Sequence, residues 1–288
     1  MKAVIASEFL KIRSLRTWRW FTLATAVCAL VSAAWSAVQM AAFLQPFDDY
    51  VAASVLRPRE ELSERTVAEL RQNYDSFSDV DTMFTLILTG GQYTGLIFAA
   101  LLAATVFSAE VRHRTLSASF IAVPVREKVI AAKFIVAAVS GVFLWAVATL
   151  VDLAVAAGFA MTTGADFRLP LGAVAVNLGA FVVWSVLGLS IATFFQNHTV
   201  AAVVIAVGYV ASSTGIQVFA QFFDQFVYHA DWLYQLQVLA PGTATQLMTS
   251  VDRQMPLLPD PWVGTVVLLG YAALGAAVGA AVLRRKEV

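Results

Sequence analysis

The residues that most often do chemistry are few in this sequence and stand far apart. His113, His198 and His229 are the only histidines, and Cys28 is the single cysteine. Ligands scattered in this way predict no shared metal site and no intrachain disulfide. The sequence also lacks a G-x-x-x-x-G-K-[ST] loop, an H-E-x-x-H helix and a G-x-S-x-G turn. It therefore has no nucleotide-binding loop of its own, and no catalytic nucleophile or metal is indicated.

Asp152 is the one charged residue inside a long apolar segment. An acid at the centre of a membrane-spanning helix costs about 2.5 to 3.5 kcal/mol and by default marks function. About 28 Å of helix, at 1.5 Å per residue, separate it from Lys133, which places it near the far headgroups. Two roles stay open: contact with a transported substrate or ion, and hydration or bonding to a neighbouring helix.

The composition accounts for this scarcity of reactive groups. Of 288 residues, 59% are hydrophobic and 13% are charged, with 19 bases against 19 acids. These figures exclude a disordered chain and a basic nucleic-acid binder, and they disfavour a soluble enzyme. Uncharged windows are long enough to cross a bilayer, and a polar run at 196–199 divides the longest. The sequence predicts an all-α membrane protein with one domain, 1–288, and six spans at about 20–44, 84–108, 134–158, 171–194, 200–221 and 261–283.

The basic residues are sorted between the two sides of this predicted bundle. If both termini are cytoplasmic, 13 of the 19 lie inside and six outside. The positive-inside rule therefore predicts cytoplasmic termini. An N-terminal signal peptide is disfavoured, because the first apolar stretch is longer than a typical signal core.

The segment before the first span predicts an amphipathic helix. Ile5, Phe9 and Ile12 fall on one helical face, and Lys11 falls opposite. This pattern indicates a helix in the cytoplasmic membrane surface, with basic residues facing lipid headgroups. The alternative is a solvated basic leader.

Two segments, 45–83 and 222–260, are predicted to be extracellular. The first contains a helix start at Pro58, followed by acids in the first turn. The second is rich in aromatic residues, which favour a helix at the outer membrane interface or a substrate exit gate. The candidate gate residues are Phe222, Phe223, Phe226 and Trp232.

The cytoplasmic loop 110–133 combines positive charge with apolar residues. Pro124 biases Val123 toward an extended conformation and suits the first turn of a new helix, so the loop is predicted to be two short helical pieces with a bend. Basic residues alone would serve membrane orientation, but orientation requires neither this bend nor the apolar Leu116, Phe120 and Ile121. Apolar groups on a charged loop predict a docking surface for another protein.

Two motifs make the chain resemble the ABC-2 type permeases of ABC transporters. The first is the N-terminal run from Ser7 to Trp18, directly before a span. The second lies in the loop between the second and third spans and consists of Glu110, the basic stretch to Arg114, Thr115, Leu116, Pro124, Arg126 and Lys133. The family commonly has glycine where this chain has Arg114. The six-span layout extends the resemblance over the whole chain.

The resemblance implies a multi-pass subunit of the bacterial plasma membrane without ATPase activity. Two copies would form a homodimeric pore, and two separate ABC ATPase subunits would dock beneath it, carrying ATP and Mg²⁺. The chain itself would bind no cofactor or nucleic acid. The interfacial connecting helix would contain Glu8, Phe9, Lys11, Ile12 and Arg16, and the coupling loop would contain Glu110, Arg112, Arg114, Thr115, Leu116, Phe120, Pro124, Arg126, Lys128 and Lys133.

These features favour the permease half of an ABC exporter for an amphiphilic compound, an antibiotic, a peptide or a lipid. A stand-alone secondary transporter or channel is the alternative, but it is expected to carry polar residues in several spans. A membrane enzyme would need clustered catalytic residues at one membrane face, and the sequence shows none.

Overall fold

The computed structural model describes residues 1–55, 62–123, 125–195, 197–226, 235–249 and 259–285, and these residues contain no β-strand. The helices are α1 Lys2–Ser14, α2 Thr17–Ala41, α3 Phe47–Ser54, α4 Glu64–Phe77, α5 Val80–Thr89, α6 Gln92–Arg112, α7 Thr115–Ala122, α8 Arg126–Thr163, α9 Leu171–Phe195, α10 His198–Val210, α11 Ile216–Phe226, α12 Pro241–Thr249 and α13 Pro261–Arg285.

Six helical segments are long and apolar enough to cross a membrane. They are Thr17–Leu44, Val80–Arg112, Arg126–Thr163, Leu171–Phe195, His198–Ala220 and Pro261–Arg284. The predicted all-α, six-span fold is therefore confirmed. At 38 residues, α8 is about 57 Å long, whereas a bilayer core is about 30 Å thick. One end of α8 must therefore project beyond the hydrocarbon layer.

The second span is two helices rather than the single helix predicted at 84–108. It breaks at Gly90 and Gly91, between α5 and α6. A β-carbon at Gly91 would lie 2.7 Å from the Ala29 Cα, so only glycine lets α2 pass this close to the break. The fifth span is also irregular, because the π-helical turn Ala211–Gly215 separates α10 from α11.

The centre of the bundle is the contact between α6 and α9. Gly188 of α9 lies against the backbone of Ala100, where a β-carbon would stand 2.1 Å from the carbonyl oxygen. Small residues at such positions allow helices in a membrane to pack at close distance. Fully buried apolar side chains, among them Leu96, Phe107 and Phe181, surround this contact.

The two ends of the bundle carry different short helices. One end, called the α7 end here, carries α1, α7, the α9–α10 turn and the last turn of α13. The opposite end carries α3 and α4, where Tyr50 and Tyr74 pack at 5.4 Å between ring centroids. The helix predicted to start at Pro58 begins at Glu64, with Ser63 as its N-cap. Pro58 itself lies outside the described residues.

The predicted extracellular segment 222–260 contains a buried helix, α12, which the sequence did not predict. Thr243, Ala244 and Thr245 are at most 1% exposed. Trp184 of α9 donates a hydrogen bond to the Thr245 hydroxyl at 2.9 Å, and Gln92 of α6 donates one to the Thr249 hydroxyl at 2.8 Å. Polar bonds of this kind anchor α12 between the spans.

Candidate functional site

Four charged side chains from three helices meet at the α7 end and form the charge network: Glu8, Lys11, Glu110 and Lys133. The Lys11 ammonium lies 2.6 Å from Glu8 Oε1 and 3.1 Å from Glu110 Oε1. Lys133 Nζ lies 3.0 Å from Glu8 Oε2 and also pairs with Glu110 Oε2. Each ammonium therefore contacts both carboxylates, and each carboxylate contacts both ammoniums.

The charge network is buried and electrically balanced. The side chains of Glu8, Glu110 and Lys133 are only 3% to 4% exposed, and that of Lys11 is 28% exposed. An isolated buried charge is strongly unfavourable, but an alternating arrangement of two cations and two anions offsets the desolvation of each. The network therefore holds α1, α6 and α8 together in one geometry.

The electrostatics of α1 follow from this arrangement. Burial by itself raises the pKa of Glu8, but the Lys133 charge and the hydrogen bonds from both lysines outweigh it, so the pKa lies below its ordinary value. Burial likewise lowers the pKa of Lys11, but its hydrogen bond to Glu8 and the Glu110 charge raise it above the ordinary value. Both groups are thus held in their charged forms.

The α7 helix is attached to the same network. Lys11 Nζ donates to the Ser119 hydroxyl at 3.0 Å, and Ser119 in turn donates to the Thr115 carbonyl at 3.1 Å. The Thr115 hydroxyl lies 3.5 Å from the Glu110 carbonyl. A movement of α7 would therefore pull on side chains of α1 and on the end of α6.

Arg114, which stands where the family commonly has glycine, starts α7 in an unusual backbone conformation. Arg114 adopts a left-handed conformation, with φ of 53° and ψ of 26°. It is the one non-glycine residue with positive φ in the described chain. Glycine adopts this conformation without strain, whereas arginine does so at a cost. Val123 at the other end of α7 is extended, as predicted, and Pro124 lies outside the described residues.

The apolar residues of α7 do not all face outward, which corrects the sequence prediction. Leu116 is 9% exposed and Phe120 is 6% exposed, because both pack into the central core. Ile121 is 79% exposed. Of the three apolar residues predicted to contact a partner protein, only Ile121 is available at the surface.

The basic residues of the predicted coupling loop, apart from Lys133, surround α7. Arg112, Arg114, Arg126 and Lys128 are all exposed. Arg126 also packs over the Phe120 ring at 5.6 Å and donates to the Arg284 carbonyl at 3.4 Å.

The C-terminal end of α13 joins this surface. Arg284 pairs with Glu127 at 3.1 Å. Neither residue belongs to a motif, so the sequence alone does not predict this contact.

The predicted N-terminal helix exists as α1, but its faces differ from the prediction. Lys11 does not face headgroups, since it is paired inside the charge network. Glu8 is the most buried residue of the helix, and Ile12 is half-buried beside it. Phe9 and Arg16 are exposed. Apolar periodicity does not predict these faces, because Glu8 and Lys11 pair with residues of α6 and α8 that are distant in the sequence.

Asp152 lies inside the bundle rather than at its surface. It is 1% exposed, and its Oδ1 atom has no hydrogen-bond partner among the described residues. It points toward the break in the second span, where a β-carbon at Gly91 would lie 3.4 Å from Oδ1. Broken helices and buried acids are common at transport sites.

The predicted gate aromatics are described only in part. Phe222 is 56% exposed on α11, and Phe223 is half-buried, with its ring 6.0 Å from that of Phe219. Phe226 is the last residue of α11, and its side chain is not described. Trp232 lies outside the described residues.

Comparison with known proteins adds an independent finding to this geometry. No curated protein matches the chain significantly. The family model described as ABC-2 family transporter protein matches residues 3–288. The match includes α1, the charge network and all six spans, so the chain belongs to the ABC-2 family of transporter proteins.

Proposed function

We propose that the chain is the permease subunit of an ABC exporter that moves an amphiphilic compound, an antibiotic, a peptide or a lipid. A separate ABC ATPase would supply the energy, carrying ATP and Mg²⁺. The observation that carries this proposal is the charge network, which joins the surface helix α7 to three helices of the bundle. Such an arrangement can transmit a movement from a soluble ATPase to a helix bundle that has two conformations.

The proposed coupling step starts at α7. The ATPase docks on the exposed side of α7, at Ile121, and on the surrounding basic residues. Closure of the ATPases displaces α7, and the Ser119–Lys11 bond passes the displacement to the charge network. Because α1, α6 and α8 share that network, their ends move together instead of sliding past each other.

The proposed assembly contains two permeases and two ATPases in a bacterial plasma membrane. The excess of basic residues at the α7 end supports a cytoplasmic position for that end and for both termini. This position also gives the ATPases access to cytoplasmic ATP.

Asp152 is the proposed contact for cargo or an ion along the transport path. Its support is a buried carboxylate oxygen without a partner in the described structure, beside a break in a span. The variant Asp152→Asn keeps the shape and removes the charge. Unchanged transport by this variant would rule out a charge-dependent role for Asp152.

A charge-reversal experiment tests the docking proposal. Arg126→Glu with Lys128→Glu is expected to reduce co-purification of the ATPase subunit with the chain. Arg65→Glu with Arg71→Glu is the matched control, because these arginines are exposed on α4 at the opposite end. Equal loss with both pairs would contradict docking at the α7 end.

A stand-alone secondary transporter or channel remains the competing function. It would transport without nucleotide when reconstituted as the purified chain. The proposed permease would show no such transport unless the ATPase and ATP are added.

A further inference from the structure

A cleft separate from the charge network opens at the α7 end, between α6 and the α9–α10 turn. It has a volume of about 510 Å³. Its walls include Ser108 and Arg112 of α6, Phe195 of α9 and His198 and Thr199 of α10. A cleft of this size accommodates a small ligand or the headgroup of a larger one.

Two polar groups of the cleft can donate a hydrogen bond to a ligand. Arg112 is exposed and forms no ion pair within the described residues. Ser108 is 3% exposed, and its buried hydroxyl has no hydrogen-bond partner among the described residues. A buried hydroxyl without a partner is unfavourable unless a ligand satisfies it.

His198 adds a ring nitrogen to the cleft. Its Nε2 atom lies 3.2 Å from the Thr105 hydroxyl, whose own proton is donated to the Leu101 carbonyl at 2.7 Å. Nε2 must therefore donate to Thr105, which leaves Nδ1 for a ligand.

An apolar stripe runs from the cleft along α10. Val200, Val203, Val207 and Val210 recur at helical spacing and are 40%, 54%, 61% and 55% exposed. Phe194, which is 60% exposed, packs against Phe195 of the cleft wall, at 5.1 Å between ring centroids. A positively charged cleft that continues into an apolar stripe matches a molecule with an anionic head and an acyl tail.

We propose that this cleft binds an anionic phospholipid from the leaflet that borders the α7 end. The phosphate accepts hydrogen bonds from Arg112 and the Ser108 hydroxyl, the His198 Nδ1 atom accepts one from a headgroup hydroxyl, and one acyl chain lies along the valine stripe of α10. Basic pockets between membrane helices bind anionic headgroups for the same physical reason. The bound lipid bridges α6 and α10, two spans that face each other across this cleft.

The test measures lipid binding by the full chain, purified and delipidated in detergent. Phosphatidylglycerol and phosphatidylcholine are added separately, and native mass spectrometry counts the bound lipids. Phosphatidylglycerol is expected to bind at least tenfold more tightly, and the double variant Arg112→Gln/His198→Gln is expected to lose about tenfold or more of that affinity. Arg13→Gln/His113→Gln is the control with matched residue types at the same end, because both residues are exposed and outside the cleft.

Ser108→Ala separates ligand binding from folding. An unpartnered hydroxyl contributes nothing to the fold, so this variant should unfold at the same temperature as the native protein, or higher, and still bind phosphatidylglycerol more weakly. Inorganic phosphate is the second probe. Binding of phosphate as tight as that of the lipid would show that the acyl chain contributes nothing and would overturn the lipid assignment.

Two further outcomes would overturn the proposal. One is equal phosphatidylglycerol affinity in the native chain and in Arg112→Gln/His198→Gln. The other is an equal loss of affinity in the Arg13→Gln/His113→Gln control. If lipid affinity is unchanged but Arg112→Gln/His198→Gln releases a protein partner, the cleft belongs to that partner instead.

Discussion

Burial makes each member of the charge network depend on the other three. Glu8, Glu110 and Lys133 have almost no access to water, so each requires its counter-charges to remain ionised. Lys11 keeps partial access and also reaches Ser119 on α7. It is therefore the member that links the buried pairs to the surface of the protein.

Removal of one charge from the network is expected to destabilise the fold. Lys133→Met leaves two buried carboxylates with one ammonium, and we expect the free energy of unfolding to fall by about 3–5 kcal/mol. Thermal unfolding in detergent, followed by tryptophan fluorescence, measures this change. The double variant Glu110→Gln/Lys133→Met removes one charge of each sign and should recover part of the loss. No recovery would contradict the mutual dependence of these charges.

The pKa shifts in α1 predict how stability depends on pH. The lowered pKa of Glu8 gives stability that is present above the ordinary carboxyl pKa of about 4.3 and is lost as the pH falls through the lowered value. The raised pKa of Lys11 gives stability that is present below about pH 10.4 and is lost as the pH rises through the raised value. The combined contribution of these two groups is therefore greatest between about pH 5 and pH 10.

Unfolding temperatures measured from pH 3 to pH 11 check this profile. Glu8→Gln should flatten the acid limb, because the glutamine side chain does not titrate. An acid limb of unchanged size in Glu8→Gln would assign the dependence to other groups.

All four network residues are identifiable in the sequence, because they belong to the N-terminal and loop motifs. Their mutual contact is not, since Lys11 and Glu110 are 99 positions apart and Glu8 and Lys133 are 125 apart. Periodicity reports which face of a helix a residue occupies, but it carries no information on distant partners. For that reason the periodicity of α1 predicts that Lys11 faces lipid headgroups, although it lies in the charge network.

At the scale of elements, α7 depends on an unusual turn. Arg114 holds the left-handed conformation that starts this helix and directs Leu116 and Phe120 into the core. A side chain in this conformation costs about 1–2 kcal/mol, and a β-branched side chain costs more.

Substitutions at Arg114 are expected to separate the effect of the turn from that of the charge. Arg114→Gly should raise or preserve the unfolding temperature, because glycine accepts φ of 53° without strain. Arg114→Val should lower it. The same thermal measurement compares the two variants, and equal destabilisation by both would indicate that the arginine side chain itself holds the turn.

The close packing of α6 on α9 gives a second prediction for the elements. Gly188→Ala places a methyl group 2.1 Å from the Ala100 carbonyl oxygen, so the helices must separate, at a cost of about 1–3 kcal/mol. Gly158→Ala is the control, since nothing lies within 4 Å of its new methyl group. Urea or thermal unfolding should distinguish the two, and equal effects would contradict close packing at Gly188.

Long apolar elements were predictable, and short or broken ones were not. The uncharged windows identified all six spans because a bilayer demands length and apolarity together. The helix α12 is short and threonine-rich, so its sequence predicts an external segment. Only its bonds to Trp184 and Gln92 show that it is buried.

The predicted span layout separates the charges of the whole molecule along the membrane axis. It assigns most of the bases to the side of the loop 110–133 and most of the acids to the opposite side, and the sum over the chain is zero. The sequence therefore allowed membrane orientation to be predicted as well as span number. The α7 end also carries the charge network, so one end of the molecule combines the proposed contact with the motor and the coupling to the bundle.

The proposed function depends above all on a contact between α7 and an ABC ATPase. A photo-crosslinking amino acid at position 121 in the full chain tests it most directly, because Ile121 is 79% exposed. The same amino acid at position 65 on α4 is the control, since the Arg65 side chain is 89% exposed at the opposite end. Membranes of the native host are irradiated, and each product is probed with a photoreactive ATP analogue and identified by mass spectrometry. We expect a crosslinked ABC ATPase from position 121 and none from position 65. The proposed contact would be contradicted if position 121 gave no ATP-binding product and the purified chain transported without ATP.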